Sequence, residues 1–384
     1  MNKQSIRKKS PVRQLRAERY LLISLISFAA SVLVVRLFLE LTNYPRVEFG
    51  NLHIAHVIWG GLFLFAAALL PIMYANRWAL FWSALFSGVG FGLFIDEIGK
   101  FITQSNDYFY PPAAPLIYAC FLLTVLIYAQ FRRPRPSTTR EDLYHIFSMM
   151  EELLDEDLDE EENSFLIQRL NHIINTSSDT KLVRLAKSLL SFMQSEILTN
   201  PVMPPNNLQK LWQQLVTAME GFFTRQRMFL LLIGGLIWHG FISIMGLFNL
   251  TLLSIQTING QPDRFIQIIQ TLPQNIPPDW LIVKAASQAA IGIFSVAAAI
   301  LFLLKREESA IRIGILVLTT SLTVVNLLVF YLDQFSASIN AIFEFVLLLG
   351  LINYRRRFIQ QTSLVNADDD ANSFKQDEEQ KLPT

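Results

Sequence analysis

The chain has 384 residues, 52% of them hydrophobic and only 17% charged, with 32 basic residues balancing 32 acidic ones. About a quarter of a soluble domain is charged, so composition argues against a soluble globular protein. It also argues against a nucleic-acid binder, because the basic clusters stand beside apolar runs and lack interleaved aromatics.

Mean hydropathy is positive, and the apolar residues fall in blocks of about 20, the pattern of an all-α polytopic membrane protein. Residues 1–19 carry Lys3, Arg7, Lys8, Lys9, Arg13, Arg16 and Arg19 against the single acid Glu18. They read as a basic cytoplasmic arm suited to anionic lipid. The run Tyr20 to Leu41 is too long for the apolar core of a signal peptide and no A-x-A site stands out, which predicts an uncleaved first span. Second, third and fourth spans are predicted over Gly50 to Tyr74, Ala79 to Thr103 and Ala113 to Phe131. Arg132-Arg133-Pro134-Arg135-Pro136 closes the fourth, proline ending the helix and arginine marking the inner side. Residues 20–131 thus read as a first bundle of four spans. The single cysteine, Cys120, lies in the fourth span and reads as a small buried residue.

Residues 132–226 differ in kind, having no apolar run of spanning length. Leu182, Leu185, Leu189 and Met193 recur at spacings of three and four and predict one apolar helix face. Leu211, Leu215 and Met219 predict another, with Asn200-Pro201 and Pro204-Pro205 as breaks between them. This is the composition of a small helical cytoplasmic domain inserted between spans four and five. Its acidic segment, Glu151 to Glu162, holds Asp155, Asp157 and Asp159 at the spacing that opens a calcium loop. Glu160 stands where glycine is required, and Leu166 where the closing glutamate belongs, so a solvated helix end or linker is expected. His145 and His172 have no companions at ligand spacing. Without a nucleophile–base pair or a phosphate loop, residues 137–225 read as an interaction module for a protein partner or self-association.

Residues 227–357 give a second bundle, with spans over Met228 to Gln256, Trp280 to Leu304, Ile311 to Tyr331 and Phe335 to Tyr354. His239, in the middle of the fifth span, reads as a neutral histidine satisfied by a neighbouring helix. The polar, acidic residues 358–384 read as a disordered cytoplasmic tail. Eight spans put the arm, Arg77, the Arg132 cluster, Lys305-Arg306 and Arg355-Arg356-Arg357 on one side, leaving Arg46 and Arg264 on the other. The positive-inside rule then places both termini and the helical insert in the cytoplasm, with the chain in the plasma or inner membrane.

That topology gathers ionisable residues at one depth. At about 1.5 Å per residue, His53 and His56 lie about 5 and 9 Å from the outer end of the second span, and Asp96, Glu97 and Lys100 lie within about 10 Å of the outer end of the third. Arg36 lies about 8 Å deep on the first span, with Glu40 near the surface. Lys284, Asp333 and Asn340 also fall toward the outer side, and Glu344 near mid-span. Ionisable groups are costly in lipid, so those of the first three spans are expected to face inward and meet. On a helix, His53 and His56 at i,i+3 share a face, as do Arg36 with Glu40 and Asp96 with Lys100 at i,i+4. Gly88 and Gly92 have the spacing that lets spans approach closely.

Three readings fit this cluster: a structural ion-pair network, a binding or transport site for an ion, proton or lipid headgroup, and a metal-dependent hydrolase. In the last, His53, His56 and Asp96 would hold a divalent metal such as zinc, with a neighbouring carboxylate as base. The chain could also be a membrane scaffold acting through its cytoplasmic domain. The stretches HIAHVIWG, from His53, and GFGLFIDEIGKFITQSNDYFY, from Gly90, resemble bacterial multi-pass membrane proteins with paired histidines on one span and an Asp-Glu pair on the next. The resemblance covers spans two to four and implies kinship without a particular chemistry.

Cysteine labelling at Asn106 and Ser178 tests the topology. Label is expected to reach the two positions from opposite sides of the membrane, and access from the same side would defeat the eight-span arrangement.

Overall fold

The computed structural model describes residues 11–42, 48–49, 52–53, 56–104, 107, 110–133, 135, 137–154, 160–197, 221, 223–258 and 279–360. In chain order the helices are α1 (Ala17–Leu41), α2 (His56–Met73), α3 (Arg77–Asp96), α4 (Ile98–Ile102), α5 (Ala113–Arg132), α6 (Thr139–Leu154), α7 (Glu160–Thr176) and α8 (Thr180–Ile197). After them come α9 (Arg225–Ile258), α10 (Asp279–Leu303), α11 (Glu307–Thr320), α12 (Asn326–Asp333) and α13 (Ser338–Tyr354). Among the described residues, strand is confined to a two-residue antiparallel pair, β1 (Glu48–Phe49) with β2 (Leu52–His53).

Seven helical segments of the described chain are long and apolar enough to cross a membrane: α1, α2, α3, α5, α9, α10 and the stretch Glu307–Ile359. Their apolar residues largely face outward. In α2 only 11% of the most apolar stretch is buried, and Ile58, Trp59, Leu62 and Phe65 are exposed on it. So extended an apolar surface suits lipid and not water.

Two spans depart from the expected course. The second was predicted as one helix from Gly50, but α2 begins at His56 and His53 sits in β2, opposite Glu48. The third was predicted to run unbroken to Thr103, but α3 ends at Asp96, Glu97 adopts a turn conformation, and α4 starts afresh at Ile98.

The chain divides into two compact units, Met1–Glu97 with Leu123–Trp212, and Ile98–Leu122 with Gln213–Thr384. In the first unit α3 packs on both α1 and α2, and its glycines are shared between them. A Cβ on Gly88 or Gly92 would strike Ser27 or Ser31 of α1, whereas one on Gly90 would lie 2.8 Å from the Gly60 carbonyl of α2. Pro71 lies inside α2 and has no N–H to give the Ala67 carbonyl. Ser83 of α3 donates to that carbonyl instead, at 2.7 Å.

The insert's described helices, α6 to α8, bury Ile146, Met149, Leu166, Leu170, Ile173, Ala186 and Met193 in a core of their own. The stripe on α8 differs from the expected one, since Leu185 is exposed and Ala186 occupies the core. Leu211, Leu215, Met219 and the proline breaks lie outside the described residues, as do Asp155, Asp157 and Asp159. Glu162 was expected to be solvated. It is only 6% exposed and accepts from Arg16 at 2.6 Å and Arg77 at 3.3 Å. The arm packs here too: Leu15 lies against the insert's core, His145 Nε2 donates to the Arg13 carbonyl at 3.1 Å, and Arg13 stacks over Phe131. His172, expected without a metal-spaced companion, meets Asp142 at 2.9 Å beside Arg169.

In the second unit α9 and α10 cross at Gly240 and Gly292, where a Cβ on either would lie 2.8 Å from the other's carbonyl oxygen. The stretch Glu307–Ile359 is 53 residues long; a straight helix of that length would reach about 80 Å. It folds back instead. A π-helical turn, Ser321–Val325, joins α11 to α12, and Gln334 at φ 50° breaks the helix before α13. Tyr354 then meets Glu307 at 3.0 Å, Leu351 covers Gly314, and Asn326 meets Glu344 at 3.1 Å. These pairs give an antiparallel hairpin of α11–α12 against α13.

Adjacent glycines in α2 test the packing. Gly60→Leu is expected to lower the stability of the solubilised protein by about 1–3 kcal/mol or more through overpacking, since a Cβ there would lie 2.7 Å from the Phe94 nitrogen. Gly61→Leu is expected to leave the unfolding transition in place, since a Cβ there meets nothing within 4 Å. Equal losses in chemical denaturation would contradict the close approach of α2 and α3.

Candidate functional site

Three helix ends converge in the first unit. Asp96 is the last residue of α3 and is 0% exposed. Arg36 of α1, itself buried, donates from Nε to Asp96 Oδ1 at 2.6 Å and from Nη2 to the Asp96 backbone carbonyl at 3.1 Å. The second contact puts a cation on one of the carbonyls a helix leaves unsatisfied at its C-terminus. Glu97, equally buried, caps the opposite polarity: its Oε2 accepts from the Val57 N–H at 3.0 Å, one of the unsatisfied donors in the first turn of α2.

His56 lies between the two carboxylates. Its Nε2 is 3.2 Å from Asp96 Oδ2 and its Nδ1 is 3.5 Å from Glu97 Oε1. The imidazole side chain is 24% exposed, whereas the carboxylates are sealed. A neutral imidazole carries one N–H and an imidazolium carries two. With a carboxylate oxygen facing each ring nitrogen, either tautomer has an acceptor for its N–H.

Of the seven residues expected to form a polar cluster, Arg36, His56, Asp96 and Glu97 are brought together. Glu40 is exposed on α1. Lys100 stands on α4, in the second unit. His53 lies in β2, and the helical i,i+3 relation to His56 is absent because the helix has not yet begun; the His53 side chain is outside the description. Among the described residues no three His, Cys, Asp or Glu side chains take up a metal-binding arrangement.

A second buried polar group lies in the second unit. His239 of α9 faces Ser295 of α10 through Nδ1 at 2.9 Å and Glu344 of α13 through Nε2 at 3.2 Å. Asn326 Nδ2 donates to the other Glu344 oxygen at 3.1 Å. Elsewhere in this unit Lys284 grips both oxygens of Asp333 at 2.6 Å. Asn340 is exposed, whereas Asn326 is buried and is the asparagine that reaches Glu344. The pairing of His239 with Glu344 escaped the sequence reading, although each is an ionisable residue isolated in an apolar run, the signal that marks such groups.

No protein-family model matches the chain, and neither the curated proteins nor the solved structures contain a match.

Denaturation in detergent tests the Arg36–Asp96 pair. Asp96→Ala leaves a buried guanidinium without its carboxylate and is expected to cost about 3–5 kcal/mol. Replacing both partners with apolar residues, Arg36→Met with Asp96→Leu, is expected to recover most of that loss. Glu97→Gln should cost less than Asp96→Ala, because its amide oxygen can still accept from Val57.

Proposed function

We propose that the chain is a multi-pass integral membrane protein whose first unit binds and exchanges a proton at His56, in the service of proton-linked transport. The carrying observation is the imidazole set between two buried carboxylates, with both ring nitrogens facing carboxylate oxygens. Among an ion, a proton and a lipid headgroup, the proton suits this geometry best. Asp96 Oδ1 is engaged by Arg36 and Glu97 Oε2 by the Val57 amide, so little of either carboxylate is left to wrap a larger cation. The exposed edge of His56 supplies a route to water, and the buried partners hold the ring in place.

The same reading counts the hairpin α11–α12 and α13 as two spans joined at Gln334, making eight. The excess of arginine and lysine at alternate turns then supports cytoplasmic termini, a cytoplasmic helical insert at 132–226, and residence in the plasma or inner membrane. Tyr144 and Phe147 leave large aromatic surfaces exposed on α6, which supports self-association or a protein partner at residues 137–225.

Proteoliposomes enclosing a pH-sensitive dye test the proton reading. With an imposed pH gradient the wild type is expected to pass protons, and His56→Ala and Asp96→Asn to reduce the flux at least about tenfold, a barrier change of about 1.4 kcal/mol. A wild type no faster than empty vesicles, or a His56→Ala variant as fast as wild type, would refute it. Metal analysis of protein purified without chelators is expected to find no stoichiometric zinc. Zinc that disappears when His53 and His56 are both changed to alanine would favour the hydrolase reading instead.

A further inference from the structure

The second unit has its polar side chains in three tiers. At one end Arg225 and Tyr354 both donate to Glu307, at 3.2 and 3.0 Å. At the other, Lys284 holds Asp333. Between them His239, Ser295, Asn326 and Glu344 are all buried. Counting along the helices, Glu344 is about 15 Å from Tyr354, His239 about 21 Å from Arg225, and Ser295 about 17 Å from Lys284. The middle tier is therefore far from both ionic ends.

Its position is enforced by close packing. The approach of α9 to α10 at Gly240 and Gly292 sets His239, next in sequence to Gly240, against Ser295. Asn326 is the residue immediately after the π-helical turn Ser321–Val325. Such turns occur mostly inside α-helices and frequently at functional sites. Tyr118 of α5 donates its hydroxyl to the Leu322 carbonyl in that turn, at 2.8 Å.

We propose that His239 and Glu344 form a proton-binding site in the middle of the second unit, the bound proton residing on His239 as an imidazolium paired with the Glu344 carboxylate. Among the described residues no lysine or arginine pairs with Glu344; His239 is its ionisable partner. With His239 neutral the pair carries one negative charge in apolar surroundings. One proton taken from water makes it a neutral ion pair, which removes the cost of an uncompensated buried charge.

Both states keep their hydrogen bonds. In the neutral state Nε2–H donates to Glu344 and the Ser295 hydroxyl donates to Nδ1. On uptake the incoming proton joins Nδ1, the serine hydroxyl rotates, and its oxygen accepts from Nδ1–H. One proton is gained, no covalent bond between heavy atoms changes, and the charge rises by one. Ser295 and Asn326 are positioning residues, the first able to donate or accept, the second fixing the carboxylate through Oε2. The titratable group facing the pair from α5 is Tyr118, which interacts with both Asn326 and Glu344. Of the charged residues on the packed helices, Arg225, Glu307, Lys284 and Asp333 stand at the ends, and Arg227, Asp279, Glu308 and Arg312 are exposed.

This site is independent of His56, and its test reads a protonation state instead of a flux, so either proposal can fail without the other. The full chain, labelled with ¹⁵N-histidine in lipid nanodiscs, has five histidines to resolve, and His239 is assigned by its contact to Ser295. At about pH 7 both ring nitrogens of His239 are expected to carry protons, and Glu344→Gln is expected to abolish the doubly protonated signal. A singly protonated His239 in the wild type, or a doubly protonated one that persists in Glu344→Gln, would overturn the proposal. Should that variant not fold, the wild type alone decides through the ¹³C shift of the Glu344 carboxyl. An ionised carboxylate beside imidazolium upholds the site, and a protonated Glu344 beside singly protonated His239 overturns it.

Discussion

A carboxylate sealed among apolar helices must have its charge met from within, and Asp96 is the clearest case. Fully buried, it is met by Arg36 from α1 and His56 from the start of α2, while its own backbone carbonyl at the end of α3 takes a second bond from Arg36. One residue thereby fixes the ends of three helices against each other. Glu97 adds the reciprocal tie, offering a carboxylate to the N-terminus of α2. These contacts are short enough to form because Gly60, Gly88, Gly90 and Gly92 let the helix backbones approach where any side chain would collide. The apolar packing and the polar cluster thus depend on the same close approach.

Much of the helix plan was legible in the sequence. α1, α5, α9 and α10 fall within about one helical turn of their expected limits, because their apolar runs are bounded by charge or proline. Where long-range contacts decide, the reading failed. The apolar character of Leu52 and Ile54 gave no warning that His53 lies in a strand, although Gly50-Asn51 is a pair that hairpin connections favour. Nothing local to Glu97 shows that it caps another helix instead of continuing its own. Leu185 has the right spacing for the core of the insert, but the smaller Ala186 is the residue that fits there. Asn326 and Asn340 both occur in apolar surroundings, and Asn326 reaches Glu344 only because the chain turns back at Gln334.

The basic arm shows how one set of charges can serve two purposes. Its arginines have the composition of a segment drawn to anionic lipid, yet Arg13 stacks on Phe131 and Arg16 reaches Glu162 of the insert. Glu162 also takes Arg77, from the start of α3. The buried acid that closes a strongly acidic sequence stretch thus joins the arm, the start of α3 and the helices α6 to α8, and the acids that precede it in sequence do not distinguish it from them.

The contact between Ser83 and the Ala67 carbonyl carries a consequence for how the molecule assembles. An ordinary helix closes its own ladder of bonds and can form alone in lipid, but α2 cannot close the rung at Pro71 without a hydroxyl from α3. The last turn of α2 is therefore completed by its neighbour. α2 thus depends on α3 for a complete set of backbone bonds, since without Ser83 beside it the Ala67 carbonyl would have no donor.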